Sequence, residues 1–281
     1  MPFATRRARV LGERDLGRLL EFLRADPVLN LFVLSRVDVA GLNPRRLGCP
    51  ILGYERDGEL VGACHVGANL VPITQDPAAL DAFAEQIGPI RRPQSIMGQA
   101  DAVLGLHERL VARWGAAWDD QREIRDRQPM LRIDGPPTVA ADPRVRPIQL
   151  AEFRQYFDAA VRMYTEEVGI SPLDPSNSYA SYVRTLITTG RAFGAVHEGQ
   201  VWFKSDIGSA IDGYCQVQGV WLDPRLRGHG LSAAAMAAAV RLCQRNFPVV
   251  SLYVNDFNIR ARKLYERIGF VEHATFATVL Y

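Results

Sequence analysis

The sequence predicts an α+β protein, a mixed sheet with flanking helices, built as two domains of similar size. In the second half, apolar runs alternate with segments of helical periodicity in the order β-α-α-β-β-β-α-β-α-β. One of these strands ends in a turn rich in glycine and arginine and leads directly into an alanine-rich helix near Gly230. Together these two observations predict a sheet with one pronounced β-loop-α crossing.

A proline-rich segment, IDGPPTVAADPRVRP at residues 133–147, separates this half from the first. Because proline cannot continue a helix or a central strand, we predict a linker at residues 136–143. The two predicted domains are then residues 1–135 and 144–281, and each is long enough to bury a core of its own.

The first half alternates element types. Its leucine spacing predicts a helix over residues 13–24, and a second short helix is expected over 27–38. The run YERDGELVGACHV predicts a hairpin that turns at Asp57-Gly58. Further along, we predict a helix over 77–88, a short strand at QSIMGQ and a helix over 101–114.

The second half begins with a short strand at VRPI. The elements predicted after it are helices over 150–168 and 178–189, two strands around a turn near Glu198-Gly199, a strand at YCQVQGVWL, a helix over 229–245, a strand at PVVSLYV, a helix over 257–268 and a closing strand at TFATVLY.

Composition excludes several classes of function. The formal net charge of +2 gives no support for binding to nucleic acid or to a membrane surface. No apolar run approaches the roughly 20 residues that span a bilayer, and MPFATRRARV lacks the apolar segment of a signal peptide. The cysteines form no CxxC pair, so no metal site or disulfide framework is predicted. We therefore expect a cytoplasmic protein.

The segment WLDPRLRGHGLSAAAMAAAV, residues 221–240, has the features of an anion site. A strand that ends in a glycine-rich turn before a helix presents unsatisfied N–H groups at the helix start, and the helix dipole adds to their effect. Gly228 and Gly230 keep side chains away from these groups, and Arg225 and Arg227 add positive charge. A tight turn with solvated arginines is the alternative.

Two well-known phosphate-binding patterns do not explain this segment. The P-loop string G-x-x-x-x-G-K-(S/T) is absent from the sequence. The dinucleotide pattern G-x-G-x-x-(G/A) matches formally from Gly228 to Ala233, but it belongs on the first β-α turn of a large parallel sheet. Here it lies near the end of the chain, and Val250 stands where an acidic residue would be needed.

The segment 217–270 instead resembles the GNAT acyltransferase family, whose phosphate loop is (Q/R)-x-x-G-x-(G/A) at a strand–helix junction. The loop stands here as RLRGHG, from Arg225 to Gly230. SLYVNDFNIRARKLYERIGF is similar to a second family signature, N-x-x-A-x-x-L-Y-x-x-x-G-F, which runs from Asn258 to Phe270. The resemblance covers roughly 144–281 and implies a GNAT fold with acetyl-CoA, or another short acyl-CoA, as co-substrate and no metal.

The resemblance also implies roles for individual residues. Asn258 and Tyr265 are seven apart on one helix face, about 10 Å, and would contact the pantetheine arm and the thioester sulfur. The Tyr265 hydroxyl could protonate the departing thiolate. The remaining residues implied to bind the cofactor, through strand backbone or the phosphate loop, are Val220, Trp221, Leu222, Arg225, Arg227, Gly228, His229, Gly230, Leu231 and Ser232.

A general base is harder to assign. Some family members place a glutamate on the central strand, but the polar residues here are Gln216 and Gln218, which cannot act as bases. The resemblance places the end of the first helix of this half beside the acceptor site. Glu166 and Glu167, at that end, are therefore the candidates, with Asp206 as a weaker one. A solvated acidic helix end is the alternative interpretation.

The first half carries neither signature. NLFVLSRVDVAGLNPRRLG and REIRDRQPM are similar to an uncharacterised module that precedes bacterial GNAT domains, so residues 1–135 are predicted to be a degenerate GNAT-like domain without a cofactor motif. The resemblance of the second half to the GNAT family implies an acyl-CoA-dependent N-acyltransferase. Such an enzyme transfers acetyl to a primary amine by direct attack in a ternary complex. A non-catalytic acyl-CoA sensor is the alternative, and the acceptor stays open between a protein amine, a polyamine and an antibiotic amine.

Overall fold

The structure, a computed structural model, describes residues 7–173 and 175–281. The chain divides into two compact units. The first is the chain up to Met130 together with Tyr253–Phe257 and Glu272–Tyr281, and the second is Leu131–Leu252 together with Asn258–Val271. This division differs from the predicted one, which placed all of residues 144–281 in the second domain.

The segment predicted as a linker, residues 136–143, is held by hydrogen bonds within the second unit. The backbone N–H of Thr138 donates to the carbonyl of Ile268 over 2.9 Å, and that of Asp142 donates to Ala234 over 2.9 Å. The prolines end regular structure here as expected, but the segment is fastened along its length and the boundary between the units falls earlier in the chain.

The elements of the first half follow the chain from Arg9. The strands are β1 (Arg9–Val10), β2 (Ile51–Arg56), β3 (Glu59–Val66), β4 (Asn69–Thr74), β5 (Ser95–Gln99) and β6 (Glu123–Ile133). The helices are α1 (Leu16–Arg24), α2 (Leu31–Ala40), α3 (Pro44–Leu47), α4 (Pro77–Ile87) and α5 (Ala100–Trp114).

The elements of the second half follow the predicted order. The strands are β7 (Arg146–Pro147), β8 (Ala192–His197), β9 (Gln200–Ile211), β10 (Tyr214–Leu222), β11 (Val249–Tyr253) and β12 (Val271–Leu280). The helices are α6 (Phe153–Val168), α7 (Ser178–Thr188), α8 (Leu231–Gln244) and α9 (Ile259–Ile268). Among the described residues, no helix has the length and apolar character needed to cross a membrane.

The first unit has strands in the order β1-β2-β3-β4-β5-β12. β4 and β5 are parallel, and the other neighbours in this order are antiparallel. The strand that closes the chain therefore pairs with β5, from Phe276 opposite Gln99 to Leu280 opposite Ser95. Helices α4 and α5 contribute Phe83 and other apolar side chains to a core that includes residues of β12.

The second unit has strands in the order β11-β10-β9-β8-β7. β10 and β11 are parallel, and the others are antiparallel. Among the described residues, the β10–β11 ladder ends at Gln216 opposite Ser251, whereas β10 itself continues to Leu222. Beyond Gln216, β10 therefore leaves its parallel neighbour while it stays paired with β9 as far as Leu222.

Two compensating irregularities lie in the β9–β10 pair. Between Gln216 and Val217 the register shifts because β9 holds an extra residue, and between Gln218 and Trp221 it shifts back because β10 holds one. The second irregularity places Gly219 and Val220 of β10 opposite one residue of β9, which is the definition of a β-bulge. Bulges of this kind re-aim the backbone of a strand locally.

The predicted α+β class is confirmed, and so are the helices and strands that periodicity indicated. β4 and β6 were missed because each contains a proline, at Pro72 and Pro129. Among the described residues, the β4–β5 ladder joins Asn69 and Leu70 alone, so Pro72 lies beyond the part of β4 that pairs with β5. A proline, which lacks an N–H, is therefore tolerated there.

Candidate active site

The turn between β10 and α8 is built from local hydrogen bonds. β10 ends at Leu222, a short 3-10 turn covers Pro224–Leu226, and the Asp223 carboxylate caps this turn by accepting from the backbone N–H of Arg225 over 3.0 Å. Gly228 and Gly230 then have φ values of 83° and 77°. Only glycine adopts this left-handed conformation without strain, so the two glycines permit the tight entry into the helix.

The start of α8 is suited to an anion. Within the described part of the chain, no side chain accepts a hydrogen bond at the N-cap of the helix, Gly230. The first backbone N–H groups of the helix, from Leu231 onward, therefore stay available to a ligand. A Cβ built at Gly228 or Gly230 would have no atom within 4 Å, so both face open space. The helix dipole adds a partial positive charge at the same point. These features fit a phosphate group.

The two arginines of the loop are each paired with a carboxylate. Arg225 donates to Asp223, at 3.0 and 2.7 Å, and to the Gln200 side chain at 2.9 Å. Arg227 donates to Glu166 through both terminal nitrogens, at 2.5 and 2.9 Å, and to the carbonyl of Leu222. The positive charges of the two arginines are thus partly neutralised by carboxylates. The backbone N–H groups at the start of α8 are therefore more available than the arginines to donate hydrogen bonds to an anion.

Glu166 lies at the centre of this arrangement. Besides the two bonds from Arg227, it accepts a bond of 3.2 Å from the indole N–H of Trp221. The hydrogen bonds from Arg227 hold the pKa of Glu166 below its usual value. A carboxylate with a lowered pKa and three donors is a poorer proton acceptor, so this geometry favours a role in orienting Arg227.

Tyr265 is buried in α9, 7% exposed, with its ring edge against Phe270 at a centroid distance of 5.7 Å. Burial raises the pKa of Tyr265, and the negative charge of Glu167 raises it further. The hydroxyl therefore holds its proton at neutral pH and is available as a donor. Glu167 is exposed at the end of α6, and its charge acts on the Tyr265 hydroxyl through electrostatic interaction.

Asn258 has a structural role that spacing alone did not indicate. Its side-chain oxygen accepts from the backbone N–H of Ala261 over 3.1 Å, which makes it the N-cap of α9. Asn258 thereby fixes where the helix that carries Tyr265 begins. The predicted contact of Asn258 with a cofactor stays a prediction.

The sequence-predicted site residues lie in the second unit, on the end of α6, on β9 and β10, on the glycine loop, on the first turn of α8, and at the N-cap and second turn of α9. Sequence reasoning named Asp206 as a weaker candidate base but missed that it forms a buried polar cluster with Tyr156 and Lys204 next to the bulge. The signal available was the charged pair in VWFKSDIG, because two charged residues at alternate positions of an apolar strand point to the same face.

Comparison with known families agrees with this geometry. Residues 152–270 match the family described as Acetyltransferase (GNAT) family. Residues 152–270 are therefore similar to GNAT acetyltransferase domains. Residues 49–156 match a domain of unknown function, DUF4081. A search of the curated proteins finds no significant match.

Solved GNAT proteins share the fold over nearly the whole chain. An acetyltransferase from the GNAT family of Colwellia psychrerythraea has 13% identity and a TM-score of 0.60, covering 98% of this chain and 99% of its own. A GCN5-related N-acetyltransferase from Sphaerobacter thermophilus has 16% identity and a TM-score of 0.64, covering 97% and 94%. A tandem GNAT protein from the clavulanic acid biosynthesis pathway has 13% identity and a TM-score of 0.55, covering 96% and 97%. The similarity therefore includes the first half, as the predicted tandem GNAT-like fold requires.

Proposed function

We propose that this protein is an acyl-CoA-dependent N-acetyltransferase, which transfers the acetyl group of acetyl-CoA to a primary amine by direct attack in a ternary complex. The observation that carries the proposal is the uncapped N-terminus of α8 behind the open glycine loop, in a domain that matches the GNAT family. A diphosphate is the ligand that such a helix start suits best.

The course of β10 supports the same ligand. Because the β10–β11 ladder ends at Gln216, the backbone of β10 from Val220 to Leu222 can bond to the amides of a pantetheine arm as a neighbouring strand would. The glycine loop at the end of β10 would then receive the diphosphate. Acetyl-CoA would thus be bound mainly by backbone groups, those of the end of β10 and those of the glycine loop that follows it.

Three residues are assigned to the chemistry. Tyr265 donates a proton to the thiolate of CoA as the carbon–sulfur bond breaks, since its hydroxyl carries a proton at neutral pH. The attacking amine must lose a proton, and we assign its acceptance to Glu167, an exposed carboxylate at the end of α6. Glu166 is assigned to holding Arg227 beside the phosphate loop.

Titration calorimetry with acetyl-CoA tests the proposal. We expect one acetyl-CoA to bind per chain, because the first half has neither the glycine–arginine loop nor the Asn-to-Tyr helix signature. Absence of binding heat across a range of temperatures would refute the proposed function. A stoichiometry of two would refute the assignment of the first half as a domain without a cofactor site.

Screening amines for thiol release from acetyl-CoA separates an enzyme from a binding protein. Protein amines, polyamines and antibiotic amines are the acceptor classes to include. Thiol release with at least one class is expected. Binding of acetyl-CoA without thiol release from any class would instead indicate a non-catalytic acyl-CoA sensor.

Matched glutamine variants distinguish the two neighbouring glutamates. Glu167→Gln is expected to lower kcat by about 10²- to 10⁴-fold, because a general base contributes on this scale. Glu166→Gln is expected to raise the KM for acetyl-CoA less than about fivefold, since an exposed ion pair contributes about 1 kcal/mol or less. The reverse pattern in steady-state kinetics would exchange the two roles.

A further inference from the structure

A lysine is completely buried beside the bulge of β10. The chain has two lysines, Lys204 and Lys263, and Lys204 in β9 is 0% exposed. Its ammonium donates to the Asp206 carboxylate over 2.6 Å and to the backbone carbonyl of Gly219 over 2.9 Å. The ring centroid of Tyr156 lies 5.3 Å from the same nitrogen.

The other oxygen of Asp206 accepts from the Tyr156 hydroxyl over 2.6 Å. Each charge of the pair is therefore hydrogen-bonded, which is the condition under which a buried ion pair is tolerated. A buried pair of this kind contributes little net stability compared with apolar side chains of the same size. Its presence is better explained by what it positions than by stability.

The group that it positions is the bulge. Gly219 has a φ of 59°, and a Cβ at this position would lie 2.8 Å from the Lys204 nitrogen and 2.9 Å from an Asp206 oxygen. The side chains of Lys204 and Asp206 thus occupy the space next to the Cα of Gly219. Lys204 donates a hydrogen bond to the carbonyl of Gly219 in the bulge. A side chain of the neighbouring strand β9 therefore fixes the conformation of the bulge.

The direction of the next N–H follows from the planarity of the peptide. In a trans peptide the C=O and the N–H point in opposite directions, so the N–H of Val220 points away from Lys204. β9 lies on the Lys204 side of β10, and the ladder to β11 on the other side has already ended at Gln216. The Val220 N–H therefore faces the side of β10 that β11 leaves open.

We propose that Lys204, supported by Asp206 and Tyr156, is a positioning residue that aims the Val220 N–H at the carbonyl oxygen of the acetyl thioester. This inference rests on the proposed acetyltransferase function. When the amine attacks, the carbonyl π electrons move to that oxygen, and a fixed N–H donor stabilises the resulting negative charge. The charge returns as the carbon–sulfur bond breaks and the thiolate leaves.

The double variant Lys204→Met/Asp206→Asn tests the inference, because it removes the bond to Gly219 without leaving a single charge buried. Calorimetry with acetyl-CoA and with CoA is the readout. Acetyl-CoA affinity is expected to fall about 3- to 10-fold, the contribution of one hydrogen bond, while affinity for CoA, which has no thioester carbonyl, is unchanged. With an acceptor found by the amine screen, kcat is expected to fall by on the order of 10²-fold.

Lys263→Met is the matched control, since it makes the same chemical change at the exposed lysine and should alter neither affinity. If the double variant does not fold, Gly219→Ala serves instead, because its Cβ would displace the Lys204 ammonium from the carbonyl. Equal losses for acetyl-CoA and CoA, or no loss for either, would overturn the inference. If the wild type bound neither ligand, the proposed function itself would fail and this inference with it.

Discussion

Gly228→Asp is expected to abolish acetyl-CoA binding and to leave the fold largely intact. The Cβ at this position has no atom within 4 Å, so the new side chain causes no clash, and aspartate tolerates a φ of 83° better than most residues do. The added carboxylate, however, would lie at the start of α8, where the phosphates are proposed to bind. Two like charges about 4 Å apart repel by about 4 kcal/mol near a protein surface, on the order of a 10³-fold loss of affinity.

Calorimetry with acetyl-CoA measures this effect, and circular dichroism checks the fold. Gly228→Asn is the matched control, since it has the same shape and backbone strain without the charge. We expect Gly228→Asn to retain more affinity than Gly228→Asp. Unchanged affinity in a folded Gly228→Asp variant would remove the loop from the cofactor site and favour the interpretation as a simple tight turn.

Tyr265→Phe is expected to lower kcat by about 10- to 10⁴-fold and to leave acetyl-CoA affinity nearly unchanged. General acid catalysis contributes about 10²- to 10⁴-fold, and the loss is smaller where water can substitute for the hydroxyl. Phenylalanine keeps the ring that packs against Phe270, so the core around α9 is preserved.

Steady-state kinetics with the best amine from the screen, together with calorimetry, separate the two quantities. Tyr214→Phe is the matched control, because this tyrosine lies at the opposite end of β10 from the loop and should show wild-type turnover. Wild-type turnover in Tyr265→Phe would remove Tyr265 from the chemistry.

The position of the glycine loop, where the cofactor is proposed to bind, could be predicted from sequence because all the determinants of its fold are local. The glycines, the end of β10 and the start of α8 lie within one short segment, and the cap from Asp223 to Arg225 spans two residues. The partner of Arg227 could not be predicted, because Glu166 lies 61 residues away in sequence and meets it only through the packing of α6. Likewise, the bond from Lys204 to Gly219 depends on the register of β9 against β10, which no local pattern sets.

The pairing of β12 with β5 has a consequence for how the chain is made. Ala277 and Val279 belong to the core of the first unit, yet a ribosome synthesises them only after residues 131–252 of the second unit. A nascent chain therefore carries β5 with an uncovered edge, a site prone to wrong pairing, until β12 has been synthesised. A premature stop codon shortly before residue 271 would thus damage most the half of the protein that had been synthesised first.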